Sequence, residues 1–210
     1  MKRLLFIGNS HTYVNDMPEI VKINAMEEIE VVMLARAGIT FNDHLQDPSF
    51  HFMIKQTFDG VIIQQAAHSP CPSKEETLRD ANKIIEEAKR FHQCVYVLVP
   101  WAHKGYDDIF TQMMDIYDQV VNENHIKGIY CGKVIQSLWH EMDLFYRDDE
   151  HLSPLGSYVE ACCILNTVLH QKTFKALTIT SGFNSTNFDV SGIDSLLNQK
   201  IETTIDRINK

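Results

Sequence analysis

A doubly wound α/β fold with a five-stranded parallel sheet is what this sequence predicts, on three observations. Short uninterrupted apolar runs recur along the chain, amphipathic segments of helical period stand between them, and the two kinds alternate at roughly regular spacing. A strand covered on both faces needs a continuous apolar run, and such strands alternating with helices build parallel sheets. The chain has 210 residues, 44% hydrophobic and 22% charged, which is ordinary globular composition and enough to bury one sizeable core. Residues 1–210 are therefore expected to form a single domain.

Each element has its own signal. Leu4-Leu5-Phe6-Ile7, ending at Gly8, is the first strand. Asp16 and Pro18 open a helix whose apolar positions Ile20, Val21, Ile23 and Met26 recur at helical spacing. Glu30 to Leu34 is the second strand, ending before Gly38, and a short helix covers about 42–56. Gly60-Val61-Ile62-Ile63 is the third strand. Ser73 and Glu76 form a capping-box pattern ahead of the stripe Leu78, Ala81, Ile85, Ala88 and Phe91. Val95 to Val99 is the fourth strand, closed by Pro100; Phe110, Met113, Tyr117, Val120 and Val121 mark the next helix. The fifth strand is expected within about 127–136. Ser153 and Pro154 read as N-cap and first residue of a helix carrying Leu155, Tyr158, Cys162, Leu165 and Leu169. Ser191 and Asp194 open a final helix to about Arg207, and 171–190 is the least regular stretch, a loop or an extra strand.

Charge and cysteine usage exclude whole classes of function. The net charge is -9 with no cluster of Lys or Arg, so the field repels phosphate backbones and anionic membranes; no nucleic-acid partner is expected. Cys71, Cys94, Cys131, Cys162 and Cys163 are odd in number and contain no C-x-x-C, which implies reduced thiols rather than a disulfide framework. After Met1-Lys2-Arg3 only four apolar residues precede Asn9, too few for a signal peptide, and no apolar run is long enough to span a membrane. The expected location is cytoplasmic.

Ligands of open α/β sheets bind at the carboxyl ends of the strands, so the residues just after each apolar run carry the functional argument. These are Gly8-Asn9-Ser10-His11-Thr12, Ala35-Arg36-Ala37-Gly38, Gln64-Gln65-Ala66, Trp101-Ala102-His103 and the loop Arg147-Asp148-Asp149-Glu150-His151. Serine hydrolysis needs a hydroxyl on an exposed turn, an imidazole to take its proton, a carboxylate to fix the imidazole tautomer, and donors for the oxyanion. Ser10, His151, Asp148 and the pair Gly38 and Gln64 or Gln65 supply those types, with Gln64 favoured over Gln65. The bland readings stand beside these: Ser10 as a capping or turn serine, His151 as a solvated loop histidine, Asp148 as a turn former with Asp149 or Glu150 orienting His151, Gly38 as a left-handed turn glycine, and Gln64 as a backbone partner.

Gly8-Asn9-Ser10 resembles the G-D-S block of the SGNH (GDSL-like) hydrolases, and Asp148-Asp149-Glu150-His151-Leu152-Ser153 resembles their D-x-x-H block; Gly38 matches the family's glycine after the second strand. The resemblance covers roughly residues 1–170. It implies a flavodoxin-like three-layer α/β/α sandwich and hydrolysis of an ester, such as an O-acetyl group on a carbohydrate or metabolite. It also implies Ser10, Asp148 and His151 as triad, and the Ser10 and Gly38 N–H groups with the Gln64 amide as oxyanion donors. Two departures stand out: Asn9 replaces the aspartate before the serine, where it supports the turn, and Gln64-Gln65-Ala66-Ala67 stands where the family has G-x-N-D, a region in which some of its branches carry glutamine.

No cofactor and no metal is expected. His11, His68, His103 and His140 are scattered, and His140-Glu141 lacks the second histidine of H-E-x-x-H. His11 and His68 are candidates to line the pocket, together with the segments 68–73, 102–108 and 140–147. Trp101, Trp139, Met113 and Met114 read as core. The alternative from another class is a non-catalytic flavodoxin-like module that binds a phosphate, a flavin or a glycan at the same strand ends. The 8–12 segment lacks the glycines and lysine of a P-loop and the G-x-G-x-x-G of a dinucleotide site.

Overall fold

A computed structural model of the chain describes residues 1–65, 73–175, 179–181, 188–190 and 193–209. His68, Cys71 and Ser191, named above, lie outside the described residues. The first strand, β1 (Lys2–Gly8), pairs in parallel with β2 (Ile29–Ala35) on one edge and β3 (Gly60–Ile63) on the other. β4 (Val95–Leu98) and β5 (Lys127–Ile129) extend the sheet in the order β2-β1-β3-β4-β5, parallel throughout. The order reverses at β1, so a crevice opens between the carboxyl ends of β1 and β3.

The continuous apolar runs serve both faces of the sheet. Leu4 and Phe6 point into one core, with α2 (Met17–Asn24), α7 (Cys131–Leu138), α8 (Pro154–Leu169) and α9 (Ser195–Ile208) over it. Leu5 and Ile7 point into the other, under α3 (Phe41–Gln46), α4 (Pro48–Met53), α5 (Lys74–Lys89) and α6 (Asp107–Asn124). This is the three-layer sandwich that the alternation of strand and helix predicts. Trp101, Met113 and Met114 are buried and Trp139 packs on the core, as read from the sequence. Cys94, Cys131, Cys162 and Cys163 are free thiols. No helix among the described residues is long and apolar enough to cross a membrane.

Several boundaries differ from expectation. The helix expected over about 42–56 is two, because Pro48 starts α4 under the Asp47 cap and cannot continue α3. The fifth strand ends at Ile129, and residues from Cys131 form α7. Gly132 packs so closely on the Pro100 carbonyl that a Cβ would stand 2.0 Å from its oxygen. Phe91 lies beyond the end of α5 and is exposed. Within 171–190 the described residues include a small antiparallel pair, β6 (Ile179–Ser181) and β7 (Phe188–Val190). The Ser73–Glu76 capping box, the Ser153–Pro154 helix start and the Asp194 cap form as read.

One buried group has a consequence for stability. Glu160 on α8 is fully buried, and neither carboxylate oxygen has a hydrogen-bond partner among the described residues. Burial pushes its carboxyl well above the ordinary glutamate range. The native state therefore holds a proton that the unfolded chain releases near pH ~4.3. Stability falls as pH rises through that value towards the native pKa, because native protein binds more protons there. Glu160→Gln removes this dependence. In urea titrations from about pH 4 to about pH 8 the variant should gain on the parent as pH rises; a gap constant with pH would show that Glu160 is not held protonated.

Candidate active site

The turn after β1 is built by close approach. A Cβ on Gly8 would stand 2.0 Å from Thr12 Oγ1 and 2.8 Å from Gln64 Oε1, so only glycine lets those side chains close over the strand end. Asn9 caps the short helix α1 (Ser10–Tyr13): its Oδ1 accepts from the His11 N–H at 3.0 Å, which is the turn-supporting role expected of it. Gln64, at the end of β3, turns its Oε1 towards this turn and accepts from the Asn9 N–H at 3.2 Å and the Thr12 hydroxyl at 2.9 Å. Those donors fix the orientation of the amide. Its Nε2 is buried without a hydrogen-bond partner among the described residues. Gln65 points elsewhere and accepts from the Phe41 N–H at 2.7 Å.

The second half of the site lies on the loop before α8. Phe145 and Leu152 form an antiparallel bridge, and the Tyr146 N–H donates to the His151 carbonyl at 2.8 Å, closing a tight loop with Asp149 at φ 55. Asp148 uses both carboxylate oxygens. Oδ1 accepts from the Glu150 and His151 N–H groups, each at 3.0 Å, and Oδ2 lies 2.8 Å from His151 Nδ1. Partial burial pushes the Asp148 carboxyl up, but the two N–H groups and the imidazole outweigh it and hold it below the ordinary range. The charged carboxylate can only accept, so Nδ1 carries the proton and donates to it, which leaves the Nε2 lone pair facing Ser10 Oγ at 2.9 Å. Residues 141 positions apart thus form one hydrogen-bonded chain, Ser10–His151–Asp148. In such a chain a hydroxyl can lose its proton as it attacks.

The alternatives to Asp148 have other partners. Asp149 lies 3.9 Å from Lys104 Nζ. Glu150 faces His11 Nε2 at 3.4 Å and His103 Nε2 at 3.5 Å, and its carbonyl accepts from Trp101 Nε1 at 2.8 Å. His11 is buried, stacked on Trp101 with ring centroids 4.8 Å apart, and presented at right angles to His151 at 5.4 Å. His140 packs on Trp139. Gly38 has φ +65 and sits in the exposed turn after β2, which the Arg36 N–H ties to the Gly8 carbonyl. Its positive φ fits the turn-glycine reading.

Asn15 and Tyr146 were not singled out by the sequence. Asn15, at φ 58, donates from Nδ2 to the Leu152 carbonyl at 2.8 Å and to Ser157 Oγ at 2.9 Å. Its Oδ1 accepts from the Tyr146 hydroxyl at 2.6 Å. The residue pins the His151 loop to the chain that follows Ser10. Its partners are more than 130 positions away, and only the tolerance of asparagine for left-handed backbone hinted at a special role.

Several solved structures share this architecture. A Slackia heliotrinireducens protein assigned to the SGNH hydrolases superposes with TM-score 0.69 at 22% identity, covering 79% of this chain and 98% of that one. The lipase/acylhydrolase of Enterococcus faecalis gives TM-score 0.69 at 17% identity, covering 83% and 98%. A catalytic mutant of an acetylxylan esterase from Geobacillus stearothermophilus gives 0.66 at 16%, covering 79% and 93%. The chain has the SGNH hydrolase fold. No protein-family model and no curated protein matches the sequence. Within this SGNH fold the Ser10 turn and the Asp148–His151 loop are joined through Asn15. Asn15→Ala should therefore cost about 2 kcal/mol in urea unfolding, since it strands the Leu152 carbonyl and Tyr146 hydroxyl and keeps a left-handed backbone without asparagine; a loss within ~0.5 kcal/mol would show that the clamp adds nothing.

Proposed function

We propose that the chain is a serine ester hydrolase acting on a small ester, with an O-acetyl group on a carbohydrate or metabolite as the preferred class. The observation that carries the reading is the Ser10–His151–Asp148 hydrogen-bonded chain at the carboxyl edge of β1. His151 Nε2 takes the Ser10 proton as Oγ attacks the ester carbonyl, and Asp148 stabilises the imidazolium that forms. The tetrahedral oxyanion is met by the Ser10 and Gly38 N–H groups and the Gln64 Nε2 amide. Collapse of the intermediate expels the alcohol, which takes the proton from His151 and leaves acyl-Ser10. Water attacks that ester with His151 again as base, releasing the acid and restoring the hydroxyl. The acetyl preference leans on the acetylxylan esterase among the structural relatives, and fold alone does not fix substrate.

The orphaned Gln64 Nε2 supports its assignment as oxyanion donor, since a buried N–H without a partner costs about 1–3 kcal/mol unless something recovers it. The unrelieved donor gains its acceptor only when the oxyanion develops.

A fluorophosphonate probe tests the reading without knowledge of the substrate. A single adduct on Ser10, absent in Ser10→Ala and His151→Ala, is the expected result. No adduct on folded protein would instead favour a binding module with a phosphate, flavin or glycan ligand. On an aryl acetate, Gln64→Ala should lower kcat on the order of 10²-fold, and Asp148→Asn about 10⁴-fold, by loss of the right His151 tautomer. Full activity of Gln64→Ala would remove the amide from the mechanism.

A further inference from the structure

The chain Ser10–His151–Asp148 leaves unexplained why a second imidazole and a second carboxylate stand beside it. One donor atom each of His11, Glu150 and His151 lies within 4.8 Å of the other two. No ligand spacing is visible along the chain, because positions 11 and 150–151 meet only where β1 and the loop before α8 converge. We infer that these three side chains form a binding site for a divalent transition-metal ion of the zinc type, and that its occupation switches off the nucleophile.

The donor chemistry selects the ion class. Two imidazoles and one carboxylate suit zinc, whereas magnesium and calcium take oxygen ligands and retain water. Tetrahedral zinc, with bonds of about 2.1 Å, holds its donors about 3.4 Å apart. His11 Nε2 and Glu150 Oε1 already stand at 3.4 Å. His151 brings the third donor, which lies within 4.8 Å of both. Its Nδ1 carries the hydrogen bond to Asp148, so Nε2 alone has a lone pair to offer. That carboxylate–imidazole pair is the outer support that metal-bound histidines ordinarily have. The ligands are held before any ion arrives: His11 is stacked on Trp101, and Glu150 is fixed through its carbonyl to Trp101 Nε1 and through its second carboxylate oxygen to His103.

The consequence follows from one electron pair. The Nε2 lone pair that coordinates zinc is the pair that would receive the Ser10 proton. With zinc bound, Ser10 keeps its proton and cannot attack; removal of zinc restores the base unchanged. Binding itself does not depend on the proposed esterase activity, while inhibition does.

The test separates the two. Zinc chloride is titrated by calorimetry into the full chain and into Ser10→Ala, and fluorophosphonate labelling of the parent is followed with and without zinc. The expected results are a single zinc equivalent bound by both, affinity reduced more than about tenfold in Glu150→Gln and in His11→Gln, and labelling blocked by zinc and recovered with a chelator. An unchanged urea unfolding midpoint checks that Glu150→Gln and His11→Gln remain folded. No stoichiometric binding, or binding unchanged in Glu150→Gln, overturns the site and points to the thiols instead. Binding at the site with undiminished labelling overturns the switch. Absence of labelling before any zinc is added refutes the esterase reading alone, since calorimetry still reads the site.

Discussion

Pairing of β1 on both edges is the constraint from which the site follows. Because β1 is hydrogen-bonded to β2 and β3 at once, its carboxyl end cannot move relative to either. The turn after β2, the amide at the end of β3 and the helix after β1 are therefore delivered to one place by the ladder itself. Gly8 makes the delivery close, since the absence of a side chain lets Thr12 and Gln64 meet over the strand end. Any larger residue there would push Gln64 away from Asn9 and with it the amide nitrogen that the β3 end contributes.

The other half of the site has no ladder and is held by side chains. Asp148 shapes the loop through one carboxylate oxygen and meets His151 through the other, so one side chain closes the turn and partners the imidazole. A residue with one oxygen to spare after closing its turn is what the position demands. Glu150 has a longer side chain that reaches past His151 to His11 and His103. Asn15 then joins this loop to the rigid half, converting two separate strand-end loops into one assembly.

These two halves explain what the sequence could and could not disclose. Continuous apolar runs specify strands buried on both faces, so β1 to β4 were legible, and the three layers with them. Local chemistry was legible too: the Ser73 and Ser153 caps, the Asn9 turn and the Asp148-x-x-His151 pairing each act over a few residues. The β5 boundary was not, because Ile129 to Val134 is apolar in a way that suits a strand or a buried helix equally. Asn15, Tyr146 and the His11–Glu150 contact were invisible for another reason. Each is a pairing of residues more than 130 positions apart, and a single sequence carries no record of such pairs.

Backbone strain marks the same place independently. Among the described residues, five other than glycine have positive φ: Asn15, Asp16, His125, Asp149 and His170. His125 and His170 are the left-handed residues that end α6 and α8, an ordinary use of that conformation. The other three flank the Ser10 helix and the His151 loop. Each costs about 1–2 kcal/mol against a relaxed backbone, and the buried amide nitrogens of Asn9 and Gln64 add unmet hydrogen-bonding capacity beside them. Local rules are broken where Ser10, His151 and Asp148 meet, and the adjoining sheet and helices supply the packing that tolerates it. Hydrogen bonds from Asp148 and the Asn15 clamp hold His151 against Ser10 across that strained backbone.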